Sequence, residues 1–192
     1  MTIHGLENFP AQGPALVVAN HLGDADLLVL QACLPACGEI LVKIELYDFP
    51  LLGGLLEAFG VIWVHRGRPD RRALSAALEG LRQGRFVALA PEGRESLTGG
   101  LEPATEGAAF LALKAGVPLV PVTLTGTQNR LLVGHLKRLC RAPVVLRVGM
   151  PFVLSPQPGR RQAVQAGTRR IMETLARQLP PEQRGVYAYV RD

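Results

Sequence analysis

The residues best suited to chemistry lie in the stretch Asn20-His21-Leu22-Gly23-Asp24-Ala25-Asp26, directly after the apolar run at residues 15–19. A short apolar strand that ends in a polar, glycine-containing turn places side chains at the rim of a sheet, where α/β folds bind ligands. The imidazole of His21 can accept a proton near neutral pH, and a nearby carboxylate can fix its tautomer and stabilise its charged form. The pattern therefore predicts a general base at His21.

Two carboxylates could be the partner of His21. Positions 21 and 26 are about 140° apart around an ideal helix, so a wholly helical segment would turn their side chains away from each other. Either His21 lies in the turn before the helix, with Gly23 allowing the bend towards Asp26, or Asp24 three residues on is the neighbour. Otherwise Asp24 is a helix-start residue, whose charge suits the positive end of the helix dipole.

Length and composition predict a single domain over residues 1–192, since 48% of the residues are hydrophobic and can build a core. The net charge of +5 points to an anionic partner. Nucleic acid is not expected, because aromatic residues make up only 5% and the charges are dispersed. The three cysteines show no metal-ligand spacing and are expected to be reduced, buried thiols in a cytoplasmic protein. No signal peptide is visible, and the nearly apolar residues 49–64 are too interrupted to span a membrane.

Strand-like and helix-like patterns alternate along the chain. Strands are predicted at residues 17–19, 40–42, 61–64, 86–90, 117–124 and 144–148, and helices at 25–34, 70–83, 105–115 and 160–179. Asp70 is the expected cap of the second helix, and Gly84 and Gly116 are the expected stops. This order predicts a mixed, largely parallel sheet flanked by helices.

Four separated stretches resemble the sequence blocks of the glycerophospholipid acyltransferase superfamily, and within it the bacterial lysophosphatidate (1-acylglycerol-phosphate) acyltransferases. In order, they are Asn20-His21 with four residues before Asp26, Gly60-Val61-Ile62-Trp63-Val64-His65-Arg66, Pro91-Glu92-Gly93-Arg94-Glu95-Ser96 and Val117-Pro118-Leu119-Val120-Pro121-Val122. A lone HxxxxD spacing arises often by chance, whereas four blocks in order are specific. The resemblance covers nearly the whole chain, with a motif-bearing core over about residues 5–152.

The resemblance implies transfer of a fatty acyl group to the hydroxyl of a lysophospholipid, 1-acylglycerol 3-phosphate above all, in phospholipid biosynthesis. The donor would be a thioester of coenzyme A or acyl carrier protein, and no metal or bound cofactor is implied. His21 would be the base and Asp26 would orient it, while N–H groups around Gly93 could stabilise the oxyanion. Arg66 and Arg94 would bind the anion, and Glu92 and Gly93 would shape the site. The full set of substrate-binding residues implied is Asn20, Arg66, Glu92, Gly93, Arg94 and Ser96.

Membrane contact would come from residues 51–56 and Phe59 as an interfacial patch, the alternative being that this segment is a buried helix. We accordingly expect a cytoplasmic protein, peripheral on the inner membrane face. His65 is expected to be an incidental neighbour of the site, and Lys43 to face away from it.

Two departures from the family pattern bear on the acceptor. Arg94-Glu95 stands where the family has Thr-Arg, so either Arg94 takes over the phosphate contact, with Glu95 turned to Arg66 or to solvent, or the acceptor lacks a phosphate. No lysine or arginine precedes Gly107, although the Thr105 hydroxyl and the N–H groups of a helix start could hold an anion.

Two other functions are compatible with the residues. A non-catalytic lipid- or anion-binding module of the same fold would account for Glu95 and for the missing cation before Gly107. A metal-dependent hydrolase could use His21, Asp24 and Asp26, but the other histidines are scattered and supply no further ligand cluster.

Overall fold

The computed structural model describes residues 1–34, 38–49, 52–58, 60–65, 70–155 and 157–191. Within these ranges the strands form one seven-stranded sheet in the order β1-β7-β6-β2-β5-β3-β4. Neighbouring strands are parallel except β6 and β7, which are antiparallel. The predicted mixed, largely parallel α/β sheet is therefore confirmed. The strands are β1 (Thr2–His4), β2 (Ala15–Ala19), β3 (Glu39–Lys43), β4 (Ile62–Val64), β5 (Phe86–Leu89), β6 (Leu119–Thr125) and β7 (Val145–Val148).

Helices cover both faces of the sheet. They are α1 (Ala25–Cys33), α2 (Leu52–Ala58), α3 (Arg71–Arg82), α4 (Gly107–Ala115), α5 (Asn129–Lys137) and α6 (Arg160–Gln178). Successive side chains of a strand point to opposite faces, so Leu16 and Val18 of β2 pack with α3, α4 and α6, while Val17 packs on the other side with α1 and α2. Every residue of β2 is buried, as the apolar run predicted.

Local signals place the ends of two helices. The Asp70 side chain accepts the N–H groups of Arg72 and Ala73 at 3.0 and 3.1 Å and so caps α3. Gly116 ends α4 in the left-handed conformation, with φ of 67°. Helix α4 begins at Gly107 rather than at the predicted Thr105, because both the N–H and the hydroxyl of Thr105 donate to the Pro91 carbonyl.

Strand β1 and helix α5 were not predicted, and helix α2 was predicted only as the alternative to an interfacial patch. Strand β1 has three exposed residues and carries no hydrophobic pattern. Helix α5 has Leu132 and Leu136 at helical spacing but buries none of its residues. Across the described ranges, no helix combines the length and the apolar character needed to cross a membrane.

The topology determines where a site can form. Strands β2, β5, β3 and β4 are neighbours and run in the same direction, so their carboxyl ends meet at one edge of the sheet. In open α/β sheets, ligands bind at that edge.

Candidate active site

Asn20 fixes the point at which the chain leaves β2. Its side-chain nitrogen donates to the Leu124 carbonyl at 2.9 Å, and its oxygen accepts the Leu124 N–H at 2.8 Å. Asn20 lines the cavity described below, but both ends of its amide are engaged by the backbone of β6. The structure thus makes Asn20 a tether for the turn that follows, and its contact with the substrate stays a prediction.

His21 and Asp26 form a direct pair. His21 lies in the turn before α1, and its Nδ1 is 2.9 Å from Oδ2 of Asp26. The same oxygen accepts the N–H groups of Leu22 and Gly23 at 2.6 and 3.0 Å. Of the two arrangements that the sequence left open, the structure shows the one in which the turn bends the imidazole back onto Asp26. The carboxylate is buried and the ring is 20% exposed, so the pair is fixed at the edge of an accessible space.

Glu92 holds the backbone of His21 in place. Its Oε1 accepts the His21 N–H at 3.1 Å, and its Oε2 accepts the Glu102 N–H at 2.8 Å. Burial raises the pKa of the Glu92 carboxyl to about 7, although these two N–H groups lower it. Glu92 therefore bridges the β2–α1 turn and the segment before α4, an arrangement that suits the predicted organising role.

The rest of the third block supports this loop and does not reach the cavity. The Ser96 N–H donates to the His21 carbonyl at 2.8 Å, and the Ser96 hydroxyl donates to the Gly100 carbonyl at 2.6 Å. The guanidinium of Arg94 pairs with Glu102. The described residues that line the cavity include neither Ser96 nor Arg94. The structure thus does not place these two side chains where the predicted substrate contacts would require them.

Gly93 lines the cavity and turns the loop, with φ of 72°. A Cβ at this position would lie 3.3 Å from Cγ2 of Thr105, so the loop passes close to the segment before α4. The Gly93 N–H donates to the Ala90 carbonyl at 3.0 Å. This N–H is consequently already used, and the oxyanion donor suggested among the N–H groups around Gly93 would have to be another of them.

Glu95 faces α5. Its Oε1 accepts a hydrogen bond from Nδ2 of Asn129 at 3.3 Å, and the same Nδ2 donates to Asp24 at 3.1 Å. Oδ1 of Asn129 accepts the Asp24 N–H at 3.0 Å. Glu95 is half-buried, and it has a partner that the sequence did not suggest, because an amide on the unpredicted helix α5 contacts both acidic side chains. Arg66, the other suggested partner, lies outside the described residues, as do Pro50, Leu51 and Phe59.

A cavity of about 930 Å³ lies beside His21 at the carboxyl edge of the sheet. Its lining comes from both faces. The apolar lining residues on the α1 side include Leu27, Leu30, Ile40, Val42, Leu46 and Ala88, and those on the α6 side include Leu41, Val64, Leu74, Leu89, Phe110 and Val164. The volume suits a ligand with a sizeable apolar portion.

Several polar residues of the lining were not predicted to belong to the site. His65 and Asp70 repeat the five-residue spacing of the first pair, with Nδ1 of His65 at 3.0 Å from Oδ2 of Asp70. Lys43 also lines the cavity and lies 3.8 Å from Asp24, contrary to expectation. Arg160 and Arg161, at the start of α6, complete this group. The one signal in the sequence was an Arg-Arg pair directly after the turn residues Pro158-Gly159.

The cysteines and the potential metal ligands do not cluster in the described part of the chain. Cys33 is half-buried and Cys140 is exposed, so the expectation of buried thiols is wrong for Cys140, while Cys37 lies outside the described residues. In the part of the chain that the structure describes, no three His, Cys, Asp or Glu residues are grouped as metal ligands would be. Asp24 is bound to Asn129 and does not join the pair of His21 and Asp26.

Comparison with known proteins identifies the family. The family model described as Acyltransferase matches residues 1–125. The chain belongs to this acyltransferase family. It is 34% identical over 128 residues to the 1-acyl-sn-glycerol-3-phosphate acyltransferase BAT2, chloroplastic, of Brassica napus, a match that covers 65% of this chain and 37% of that protein. It is 32% identical over 130 residues to the 1-acyl-sn-glycerol-3-phosphate acyltransferase of Borreliella burgdorferi, covering 66% of this chain and 52% of that protein.

The acyltransferase fold is also supported by a solved structure. The 1-acyl-sn-glycerophosphate (LPA) acyltransferase PlsC from Thermotoga maritima superposes with a TM-score of 0.66 at 23% identity, over 93% of this chain and 73% of that one. The chain spans between about a third and a half of the length of the first two relatives named, 37% and 52%. The family and the fold are thus shown, and the resemblance seen in the four sequence blocks is confirmed.

Proposed function

We propose that this chain transfers a fatty acyl group from a thioester to the hydroxyl of a lysophospholipid, with 1-acylglycerol 3-phosphate as the acceptor. The observation that carries the proposal is the 2.9 Å contact between His21 and Asp26 beside a large, mainly apolar cavity. The names of the relatives support this choice of acceptor. The donor is a thioester of coenzyme A or of acyl carrier protein, and the reaction uses no metal or bound cofactor.

The pair of His21 and Asp26 provides the proton transfers. Nδ1 of His21 donates its hydrogen to Asp26, which leaves Nε2 as the basic nitrogen of the ring. In the proposed step, Nε2 takes the proton of the acceptor hydroxyl while that oxygen attacks the thioester carbonyl. The tetrahedral intermediate then expels the thiolate, which receives the proton from Nε2. One ester bond forms, one thioester bond breaks and the base is regenerated.

The α1-side part of the cavity is suited to the acyl chain. Its apolar lining residues belong to α1, β3, the segment after β3 and β5. An alkyl chain placed there leaves water at about 0.8 kcal/mol for each buried CH₂ group. Holding the thioester in this way contributes to the rate, because a positioned reactant avoids the entropic cost of a bimolecular encounter.

The proposed function is tested by replacing the base. His21→Ala should lower the kcat of acyl transfer from acyl-CoA or acyl carrier protein to 1-acylglycerol 3-phosphate by about 100-fold or more, the range expected for a lost general base. His4→Ala, at an exposed position of β1, is the matched control and should leave the rate unchanged. Undiminished turnover in the His21 variant would rule out this mechanism. Binding of the acceptor without thioester consumption by the unaltered chain would favour a non-catalytic module.

We also propose that the chain acts at the cytoplasmic face of a membrane as a peripheral protein. Tyr47, Phe49 and Leu55 are 52%, 57% and 52% exposed, and Gly53 of α2 donates its N–H to the Phe49 carbonyl. These three side chains are here called the apolar patch. Tyr47 and Phe49 follow Leu46, which lines the cavity, and the hydrogen bond of Gly53 joins α2, which carries Leu55, to this segment. An interfacial contact at this position would let a lipid acceptor enter the cavity directly from the bilayer surface.

A further inference from the structure

Two arginines that the proposed reaction does not use border the α6-side part of the cavity. Arg160 and Arg161 are the first two residues of α6, and both line the cavity. Val164 on the next turn lines it as well. The first turns of α6 therefore face the same space as His21, although α6 lies far from His21 along the chain.

The described part of the chain supplies no ion-pair partner for either guanidinium. Among the described residues, no carboxylate oxygen lies within 4.0 Å of Arg160 or Arg161, and the first turn of α6 contains no acidic residue. Two carboxylates, Asp70 and Glu106, share the α6-side lining without pairing to them. Asp70 is bound by His65 and by the N–H groups at the start of α3, and these hydrogen bonds hold its pKa below the usual range.

Arg160 is held in a defined position. Its guanidinium carbon lies 5.2 Å from the centroid of the Phe110 ring, which is on α4 and also lines the cavity. Stacking on an aromatic ring restricts the side chain while leaving its N–H donors at the edges of the guanidinium plane. Such donors match two oxygens of a phosphate at once.

We infer that Arg160 and Arg161 form a phosphate-binding subsite at the α6-side part of the cavity. The inference rests on the proposed function. It places the phosphate in the α6-side part of the cavity and leaves the α1-side part to the acyl chain. Phosphate is present in both substrates of the proposed reaction, as the phosphate monoester of the acceptor and as the nucleotide phosphates of a coenzyme A donor. The same guanidinium chemistry would bind either one.

Steady-state kinetics of the Arg160→Gln/Arg161→Gln variant tests the subsite. Charge-assisted hydrogen bonds to phosphate strengthen substrate binding. We therefore expect KM for the phosphate-bearing substrate to rise about tenfold or more in the variant, with kcat much less changed. The panel contains 1-acylglycerol 3-phosphate and 1-acylglycerol as acceptors, and acyl-CoA and the acyl thioester of N-acetylcysteamine as donors. If KM rises for 1-acylglycerol 3-phosphate but not for 1-acylglycerol, the subsite binds the acceptor. If KM rises for acyl-CoA but not for the N-acetylcysteamine thioester, the subsite binds the donor.

Arg170→Gln is the matched control. Arg170 lies on the same helix and stacks in the same way, 5.3 Å from the centroid of the Phe152 ring, but it is not among the described residues that line the cavity. Its substitution should leave every KM unchanged. The single variants Arg160→Lys and Arg161→Lys, which keep the charge but lose the planar fork, replace the double variant if its thermal melt shows that it is unfolded.

The subsite and the proposed function can fail separately. Calorimetric titration with 1-acylglycerol 3-phosphate and with coenzyme A, each without its co-substrate, measures binding whether or not turnover occurs. Weaker binding in the double variant, in a chain that does not transfer acyl groups, would keep the subsite and reject the function. If the folded variant keeps KM and affinity within twofold of the unaltered chain for every phosphate-bearing ligand, the subsite is overturned.

Discussion

At the scale of residues, the surroundings distinguish two histidine–aspartate pairs that have the same spacing. His21 with Asp26 and His65 with Asp70 are both five residues apart and share the same Nδ1–Oδ2 contact, at 2.9 and 3.0 Å. The His21 ring is 20% exposed and its backbone N–H donates to Glu92, whereas the His65 ring is 51% exposed and its backbone N–H donates to Asp70, which also caps α3. The spacing alone therefore does not distinguish the two pairs; the lower exposure of the His21 ring does.

Glu92 predicts a pH dependence of stability. Its pKa of about 7 in the folded chain lies above the ordinary value of 4.5, so the folded state binds the proton more tightly than the unfolded state. The stabilisation that Glu92 contributes is then largest below pH 4.5 and is lost as the pH rises to 7. The loss is on the order of 3 kcal/mol across this interval. Urea unfolding of the unaltered chain and of Glu92→Gln from pH 4.5 to 8 should show their difference falling up to pH 7 and constant above it.

A control separates Glu92 from the other carboxylates. Glu182→Gln removes an exposed acid of the C-terminal segment, and its difference from the unaltered chain should not vary with pH by more than a few tenths of a kcal/mol. A flat difference for Glu92→Gln would show that the carboxyl is not held in its protonated form. Since an amide nitrogen cannot accept the N–H of His21 or Glu102, Glu92→Gln should also lower kcat.

At the scale of elements, the turn between β2 and α1 depends on a close backbone approach. A Cβ on Gly23 would lie 2.6 Å from the Thr127 carbonyl oxygen and 3.0 Å from the Asn129 nitrogen, both of them backbone atoms. The turn therefore has to move if Gly23 is replaced. Its N–H also donates to Asp26, so a shift disturbs the partner of the base.

Gly23→Ala should consequently lower kcat about tenfold or more and destabilise the fold by about 1–3 kcal/mol, as overpacking does. Thermal unfolding and initial rates measure the two effects. Gly54→Ala is the control, because Gly54 lies inside α2 with no atom within 4 Å of its added Cβ. That variant should keep its activity and gain up to about 1 kcal/mol from the helix preference of alanine. Equal behaviour of the two variants would mean that the turn tolerates the displacement.

The elements also show how far the sequence could predict the structure. Buried runs such as Phe86–Leu89 and signals such as Asp70 and Gly116 are local, and they placed β5, α3 and α4 correctly within a few residues. Helix α5 buries no residue, although Leu132 and Leu136 follow a helical spacing, so its position could not be inferred from a buried apolar face. Yet it supplies Asn129, which binds Asp24 and Glu95 across the site. Contacts of this kind depend on tertiary packing and have no local signature.

At the scale of the whole molecule, the cavity joins elements that are distant in sequence. Family blocks identified His21, Asp26 and Glu92, whose contacts lie within or between those blocks. Arg160 and Arg161 lie outside every block, and they line the cavity because α6 packs against α4 on one face of the sheet. The same resemblance assigned substrate contacts to Arg94 and Ser96, which the packing of their loop turns to Glu102 and Gly100. The motifs thus led to the pair of His21 and Asp26 and missed the two arginines that line the cavity.

The apolar patch predicts how the whole molecule meets a bilayer. Vesicles containing anionic phospholipid should bind the chain, because its net charge is +5 and its patch side chains can enter the interface. Phe49→Ser/Leu55→Ser removes two half-exposed apolar side chains. Each contributes about 1 kcal/mol or more to the free energy of vesicle binding, so co-sedimentation should weaken about tenfold or more.

Val186→Ser/Tyr189→Ser is the control. It removes side chains of similar exposure, 56% and 63%, that lie outside the apolar patch, and this variant should bind as the unaltered chain does. High salt should weaken all three proteins alike, since it screens the charge and leaves apolar burial in place. Equal vesicle binding by the two double variants at low salt would exclude the patch as the membrane contact.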